Sequence, residues 1–348
     1  MSCPRWVFQP EQLLFINDQT GESPWGARII QMFHMANDSG LFHTTPDTET
    51  LPLYEGKMIY QYDHRFASYE NLNKRMHMLP QVSLEQHKNP NYSVTPCYYV
   101  NREAVDKILS EHTQRKWLFG YRIQASRGLE RTMVFSVLPY TAVGEKIPLI
   151  FTGPALNATH ICCLIANGNS LIFDFVAKQK VGGATVNHFI FKQFPVLPPS
   201  HYVPDTIAFI ALQVIELIYT ASDMQPFAQD LLNEVGVETW NRWFPHNEVG
   251  THPDPQPLIP SPSSLSSAPF RWDPERRALL RAELDAYYAK LYGLTRDELR
   301  YILDPKDVYG PDFPGETFRV LKDREIREFG EYRTRRLVLE AWDRMFSG

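Results

Sequence analysis

The chain reads as an α+β protein, and three observations predict this. Between residues 51 and 200, short β-branched or aromatic runs are bounded by Gly, Pro and Asn. After Pro204, and again after Pro274, apolar residues recur at helical spacing behind helix-start signals. Aromatic residues make up 13% of the chain and prolines number 27, which suits irregular strands joined by loops. With 348 residues, 43% hydrophobic and 22% charged, the chain can bury a sizeable core in two domains, or in one large domain with an appendage.

Taken in order, residues 1–50 hold short apolar pieces without a long period. Tyr98-Tyr99-Val100, Thr132 to Leu138, Pro148 to Phe151 and His160 to Ala166 read as strands. Two helices fall among them, Arg102 to Glu111, with Val105, Ile108 and Leu109 on one face, and Ser170 to Gln179. An apolar helix covers 204–220, capped by Asp205 or Thr206, and another covers Met224 to Val235. Pro253 to Pro269 is dense in Pro and Ser and reads as a linker. Beyond it, Asp273 caps a helix whose first position is Pro274 and whose stop is Gly293. Thr295 and Glu298 form a capping box for a short helix. A last helix runs from about Lys322 to Phe346. Its Arg and Glu residues largely cancel, and Leu337, Leu339, Trp342 and Met345 form an apolar face suited to docking on protein. No repeat of solenoid period occurs.

No apolar run reaches transmembrane length, and Met1-Ser2-Cys3-Pro4-Arg5 lacks a signal-peptide core. The chain therefore reads as cytoplasmic, with no membrane partner. Cys3, Cys97, Cys162 and Cys163 have no C-x-x-C spacing, so neither disulfides nor a structural zinc is expected. Cys162 and Cys163 lie in an apolar strand-like run and read as buried thiols. The net charge is −5, but its distribution is uneven. Leu51 to Ser200 holds 16 Lys and Arg against 10 Asp and Glu, a balance of +6, which leaves −11 for the remainder. A positive middle between negative flanks fits either a nucleic-acid footprint or an ordinary solvated surface.

Motifs for bond-breaking chemistry are missing. There is no nucleophile elbow, Walker loop or kinase set, and no nuclease pattern of Asp followed by E-x-K. His34, Asp38 and His43, like Asp63 and His64, lack metal-ligand spacing. No catalytic residue and no metal ligand is therefore assigned. Asn89-Pro90-Asn91-Tyr92 is close to the N-P-P-Y tetrapeptide of adenine-N6 methyltransferases but departs at its third position, and no Gly-rich cofactor loop precedes it. It reads as a turn.

Binding candidates are more numerous. The most informative stretch is Asn169 to Pro199, in which an apolar segment leads through Lys178 and Lys180 into a Gly182-Gly183 turn. An alternating segment then ends at the prolines, and lysines beside such a turn can approach a phosphate backbone. A second candidate is the polar-aromatic run Tyr54 to Arg65. Read as a strand, it presents Lys57, Tyr60, His64 and Arg65 to a duplex; the alternative is a face of paired, buried polar groups. The third is Arg122, Arg127 and Arg131, read as phosphate clamps or as plain surface charge.

Several further motifs occur in a fixed order. Phe33-His34-Met35-Ala36-Asn37-Asp38, Pro52-Leu53-Tyr54-Glu55-Gly56-Lys57-Met58 and Asp63-His64-Arg65 come first. Glu130-Arg131-Thr132, Asn169-Ser170-Leu171, Lys180-Val181-Gly182-Gly183 and Pro195-Val196-Leu197-Pro198-Pro199 follow, then Glu283-Leu284-Asp285-Ala286, Leu303-Asp304-Pro305 and Gly330-Glu331-Tyr332-Arg333. From about Thr20 onward this series resembles the part that follows the methyltransferase core in large adenine-N6 DNA methyltransferases, found in type IIG restriction-modification enzymes and related phage-defence methylases. The Gly182-Gly183 segment also resembles the end of a recognition domain in type I specificity subunits. The resemblance implies an irregular mixed-sheet target-recognition domain at 51–200. Around it stand an N-terminal segment at 1–50, a helical spacer at 201–250, a Pro/Ser-rich linker at 251–270 and a helical extension at 271–348.

Met1 falls about where the methyltransferase core would end. The implied function is sequence-specific binding of double-stranded DNA, either as a split-gene subunit beside an adenine-N6 methyltransferase or nuclease chain or as a truncated remnant of such an enzyme. S-adenosylmethionine and Mg are expected in that partner, and no cofactor in this chain. The rival readings are a stand-alone metal-dependent nuclease and an interaction scaffold that does not touch DNA.

Overall fold

The computed structural model describes Leu14 and residues 23–70, 72, 78–125, 129–246, 268–313 and 316–346. Helices and mixed sheets coexist, so the α+β class holds. The strands are β1 (Arg28–Ile30), β2 (Phe42–His43), β3 (Thr50–Tyr54), β4 (Tyr99–Asn101), β5 (Trp117–Tyr121), β6 (Phe135–Pro139), β7 (Ala142–Val143) and β8 (Leu149–Phe151). They form two sheets of four strands each. One is antiparallel throughout, in the order β1-β8-β5-β6. The other, β2-β4-β3-β7, is mixed, because β3 and β7 run parallel.

The first sheet is covered on both faces. Trp117, Phe119 and Tyr121 alternate with Leu118 along β5, and the two sets enter different hydrophobic clusters. The second sheet and α2 (Arg102–Leu109) lie on the Leu118 side, which also takes Leu138 and Leu149. Before α2 comes the short α1 (Leu84–Lys88), capped by Ser83. The helices α3 (Ala158–Asn169), α4 (Leu171–Lys180), α5 (His188–Phe191), α6 (Pro204–Ile218), α7 (Gln225–Val235) and α8 (Val237–Trp243) pack against the Trp117 side. Residues from Leu14 to Tyr288 share this larger core, which therefore runs through the segments at 51–200, 201–250 and 271–348. A third cluster joins α4 to α9 (Pro274–Leu291), α10 (Arg296–Leu303), α12 (Arg319–Phe329) and α13 (Arg333–Phe346), with α11 (Pro305–Tyr309) between α10 and α12.

Several elements differ from the sequence reading. His160 to Ala166 is helix α3, not a strand. Asn157 caps it by accepting from His160 N, and its residues are buried on nearly every side, so no polar face reveals the helical period. Gly168 lets α3 lie against β6: a Cβ there would meet the Phe135 ring at 2.5–2.6 Å. The alternating segment before Pro195 is not a strand. Asn187 caps the short helix α5 there by accepting from Ile190 N. The segment Lys322 to Phe346 is two helices, because Gly330 takes a left-handed conformation (φ 76°) that closes α12 before α13 begins. At α6 the cap position is Val203 with Pro204 as the first residue, rather than Asp205 or Thr206. Asp273 and Thr295 cap α9 and α10 as the sequence predicts. The linker Pro253 to Pro269 lies outside the described residues apart from its last two positions, as does Cys3.

No single helix among the described residues is long and apolar enough to cross a membrane. The bent pair α3–α4, which passes by length and composition together, supplies much of the core.

Candidate nucleic-acid interface

The run Tyr54 to Arg65 is not a strand face. Gly56–Met58 forms a 3₁₀ turn, and Tyr60 and Asp63 exchange backbone hydrogen bonds of 2.8 and 3.0 Å across a tight turn. Tyr62 occupies the left-handed position of that turn (φ 59°), unusual for a bulky residue and costing about 1–3 kcal/mol. The surroundings hold it there: Tyr62 N donates to Phe135 O, and Arg277 donates to Tyr62 O.

The turn drives the following residues inward. Arg65 is fully buried, and its guanidinium donates to the carbonyls of Asn89, Tyr92, His87 and Thr220 at 2.9–3.2 Å. His64 is buried and lies 2.9 Å from Asp223. Asp63 accepts from Arg65 N and faces His87 at 3.2 Å. Burial alone raises the Asp63 and Asp223 carboxyls, but His87 and His64 respectively hold them below the ordinary carboxylate range. His64 and Arg65 thus join loops to the core and are not displayed outward, which corrects the strand-face placement. Asn89-Pro90-Asn91-Tyr92 is the expected turn: Asn89 Oδ1 accepts from Asn91 N, and Tyr92 N donates to Asn89 O. Lys57 remains exposed, paired with Glu55 and set 4.8 Å from the Tyr69 ring centroid.

The arginine candidates also turn inward. Arg122 is buried with its Nε unpartnered, 6.0 Å from the Tyr60 ring, and burial lowers its pKa. Arg131 is 6% exposed and sits between Asp285 (3.7 Å) and Asp174 (3.9 Å). The Oδ1 atom of each carboxylate is engaged elsewhere, while its Oδ2 faces Arg131. Asp174 accepts from Thr132 N and Met133 N at 2.8 Å, and Asp285 accepts from Leu171 N at 2.7 Å. Burial raises both, Asp285 to about 6. Tyr60, Arg122 and Arg131 converge with Arg281 of α9, a residue the sequence reading did not single out. Its only signal was its place in the Arg-rich run Arg276 to Arg281. Arg127 lies outside the described residues.

The Asn169 motif explains how this junction is built. The Asn169 side chain accepts from Phe135 N (2.9 Å) and donates to Phe135 O (3.0 Å), substituting for a neighbouring strand at the edge of β6. Ser170 then caps α4 by accepting from Phe173 N. Lys178 on α4 points inward, donating to Leu129 O, while Lys180 is exposed.

After α4, residues Gly182 to Thr185 and Asn187 to Phe189 are exposed. Neither Gly182 nor Gly183 has positive φ; the chain bends at Gly183 and Ala184, with open space beside both glycine Cα atoms. Buried Val181 and Val186 fix the ends of this loop. Ala125 N donates to Ala184 O and Val186 N to Ile123 O, each at 2.8 Å, which ties the loop to the chain leaving β5. Phe191 stacks on Tyr121 at 4.0 Å and holds α5 down, while Phe189, two residues earlier, is 69% exposed.

Among the described residues no group of three or more His, Cys, Asp or Glu gathers to hold a metal. His34 and Asp38 meet through a 2.7 Å bond from His34 N to the Asp38 carboxylate and a 2.9 Å bond from Asp38 N to His34 O, neither of which uses the imidazole. No family model matches the chain, and no curated protein matches it.

Proposed function

We propose that this chain is a sequence-specific DNA recognition module that works beside a separate adenine-N6 methyltransferase chain carrying the S-adenosylmethionine site. The observation that supports this reading is the loop Lys180–Phe189. It is exposed, yet held by Val181, Val186 and Phe191 in the core. Its small residues allow another backbone to approach closely, Lys180 offers a phosphate contact, and Phe189 offers a ring to bases. The ordered motifs named above support it independently.

The test is fluorescence anisotropy on labelled duplexes across a salt series. Lys180→Ala is expected to weaken binding on all sequences and reduce the salt slope by about one. Phe189→Ala is expected to weaken binding with the slope unchanged. Unchanged affinity in both variants overturns the assignment of this loop.

A further inference from the structure

The cavity between the Arg131 junction and the C-terminal helices has a volume of about 220 Å³. Its cationic groups are Arg131, Arg281, Arg324 and Arg333, and its carboxylates are Glu130, Asp285 and Glu325. The two sets pair in part within the cavity, Arg324 with Glu130 and Arg131 with Asp285 at 3.7 Å. Arg324 also pairs with Glu328, outside the cavity. Arg333 reaches Glu275, also outside. Glu325 places both oxygens on Thr334, accepting from its backbone N and its hydroxyl. Asp285 is held by Leu171 N.

Two guanidinium groups keep a buried donor without a hydrogen-bond acceptor. Arg131 is buried; its Nη1 faces Asp174 Oδ2 at 3.9 Å and its Nη2 faces Asp285 Oδ2 at 3.7 Å, ion pairs longer than hydrogen bonds that leave Nη1 and Asp174 Oδ2 without a hydrogen-bond partner. Its other neighbour, the Phe318 ring at 5.8 Å, offers a π face but no oxygen. Arg281 also has its Nε buried without a partner, and the two cations repel each other. Buried guanidinium donors without acceptors are costly, and a planar fork matches an oxyanion best.

We propose that Arg131 and Arg281 form a binding site for a phosphate group in the cavity between α9, α12 and the Tyr60 turn. The oxyanion accepts from both guanidinium groups and relieves their mutual repulsion. The site is independent of the loop Lys180–Phe189, so either assignment can fail alone.

Calorimetry on the full chain with inorganic phosphate, and separately with a short duplex bearing or lacking a 5′-phosphate, tests it. Saturable binding of inorganic phosphate, weakened about tenfold or more in Arg281→Gln and unchanged in Lys180→Ala, supports a site for free phosphate. Binding seen only with duplex, and weakened in Arg281→Gln, supports the same site with nucleic acid as the source. A second measurement needs no variant: the bound ligand should protect Arg281 from an arginine-specific dicarbonyl reagent, read by peptide mass spectrometry. No saturable binding in either arm, or binding without protection of Arg281, overturns the proposal.

Discussion

Arg65 and Arg131 are both buried arginines at the centre of the molecule, and they do different things. Arg65 gives its donors to four backbone carbonyls, of His87 in α1, of Asn89 and Tyr92 in the loop after it and of Thr220 after α6, so its charge is matched by dipoles fixed around it. Arg131 faces the Oδ2 atoms of two carboxylates at 3.7 and 3.9 Å without a direct hydrogen bond to either, while backbone N–H groups occupy their Oδ1 atoms. The first is a structural rivet, with both ends of its fork spent within the chain and Nε left without a partner. The second is a charge kept with donors to spare beside a cavity. Burial alone does not separate the two cases; where the donors end does.

The comparison is broken most directly by replacing each residue with Met, which keeps the length of the stem and removes the charge. Arg65→Met strips the His87 and Thr220 carbonyls of buried donors and frees the Asn89 turn, and is expected to cost about 3–5 kcal/mol in urea unfolding. Arg131→Met removes no hydrogen bond, and the carboxylates it leaves keep their backbone partners. Its expected cost is smaller than that of Arg65→Met and below the roughly 3–5 kcal/mol of a broken buried pair, because Asp174 and Asp285, both raised by burial, can take up a proton when the cation is gone. Equal losses would mean that the long ion pairs of Arg131 matter as much as the carbonyl cage of Arg65.

A smaller effect sharpens the comparison through pH. Burial raises Asp285 to about 6, above its unfolded value. A carboxyl raised in the folded state contributes stability below its unfolded pKa, and that contribution is lost as pH rises through the folded pKa. The window for Asp285 is therefore about pH 4 to 6. Asp63 and Asp223 are lowered, so their contribution is present above the unfolded pKa and lost as pH falls below about 4. The two carboxylate groups thus act in separate windows and with opposite sign. Asp285→Asn can still accept from Leu171 N, and relative to it the wild type should lose stability between pH 4 and 6, with a slope of at most about 1.4 kcal/mol per pH unit. Parallel stability curves across that window would show that Asp285 is not raised.

Much of the fold was legible in the sequence because helix signals are local. Asp273 before Pro274 and Thr295 before Glu298 act within one turn, and both helices start where those residues place them. Helix α3 was not legible, because a helix buried all round has the same apolar run as a buried strand. The inward course of His64 and Arg65 was hidden for another reason. It depends on the left-handed Tyr62 and on carbonyls at positions 87, 89, 92 and 220, far apart in sequence. The apolar face of the last helix was legible as a docking face, but what it docks on is this chain: Leu337, Leu339 and Trp342 are buried in the cluster with α9 and α10. The exposed loop was legible as to which residues it holds, but not as to its shape, since the Asn187 cap competes with the alternating pattern.

The smallest effect contrasts two lysines one turn edge apart. Lys178 gives its ammonium to Leu129 O and lies 5.8 Å from the Phe318 ring centroid, and burial lowers its pKa. Lys180 at the end of the same helix is exposed. Sequence alone makes them equivalent, both beside the glycines and both two positions from each other's environment. The structure divides their roles between support and contact, as it divides Arg65 from Arg131. Lys178→Ala removes one partly buried hydrogen bond and the packing of its stem, an expected loss of about 1 kcal/mol. Lys180→Ala should leave stability within about 0.5 kcal/mol of wild type, as surface changes do. Thermal unfolding of the two variants at one pH and salt concentration checks this. If Lys180→Ala destabilises as much as Lys178→Ala, then Lys180 is tied into the fold, and any weakening of duplex binding in that variant reports a disturbed loop and not a lost contact.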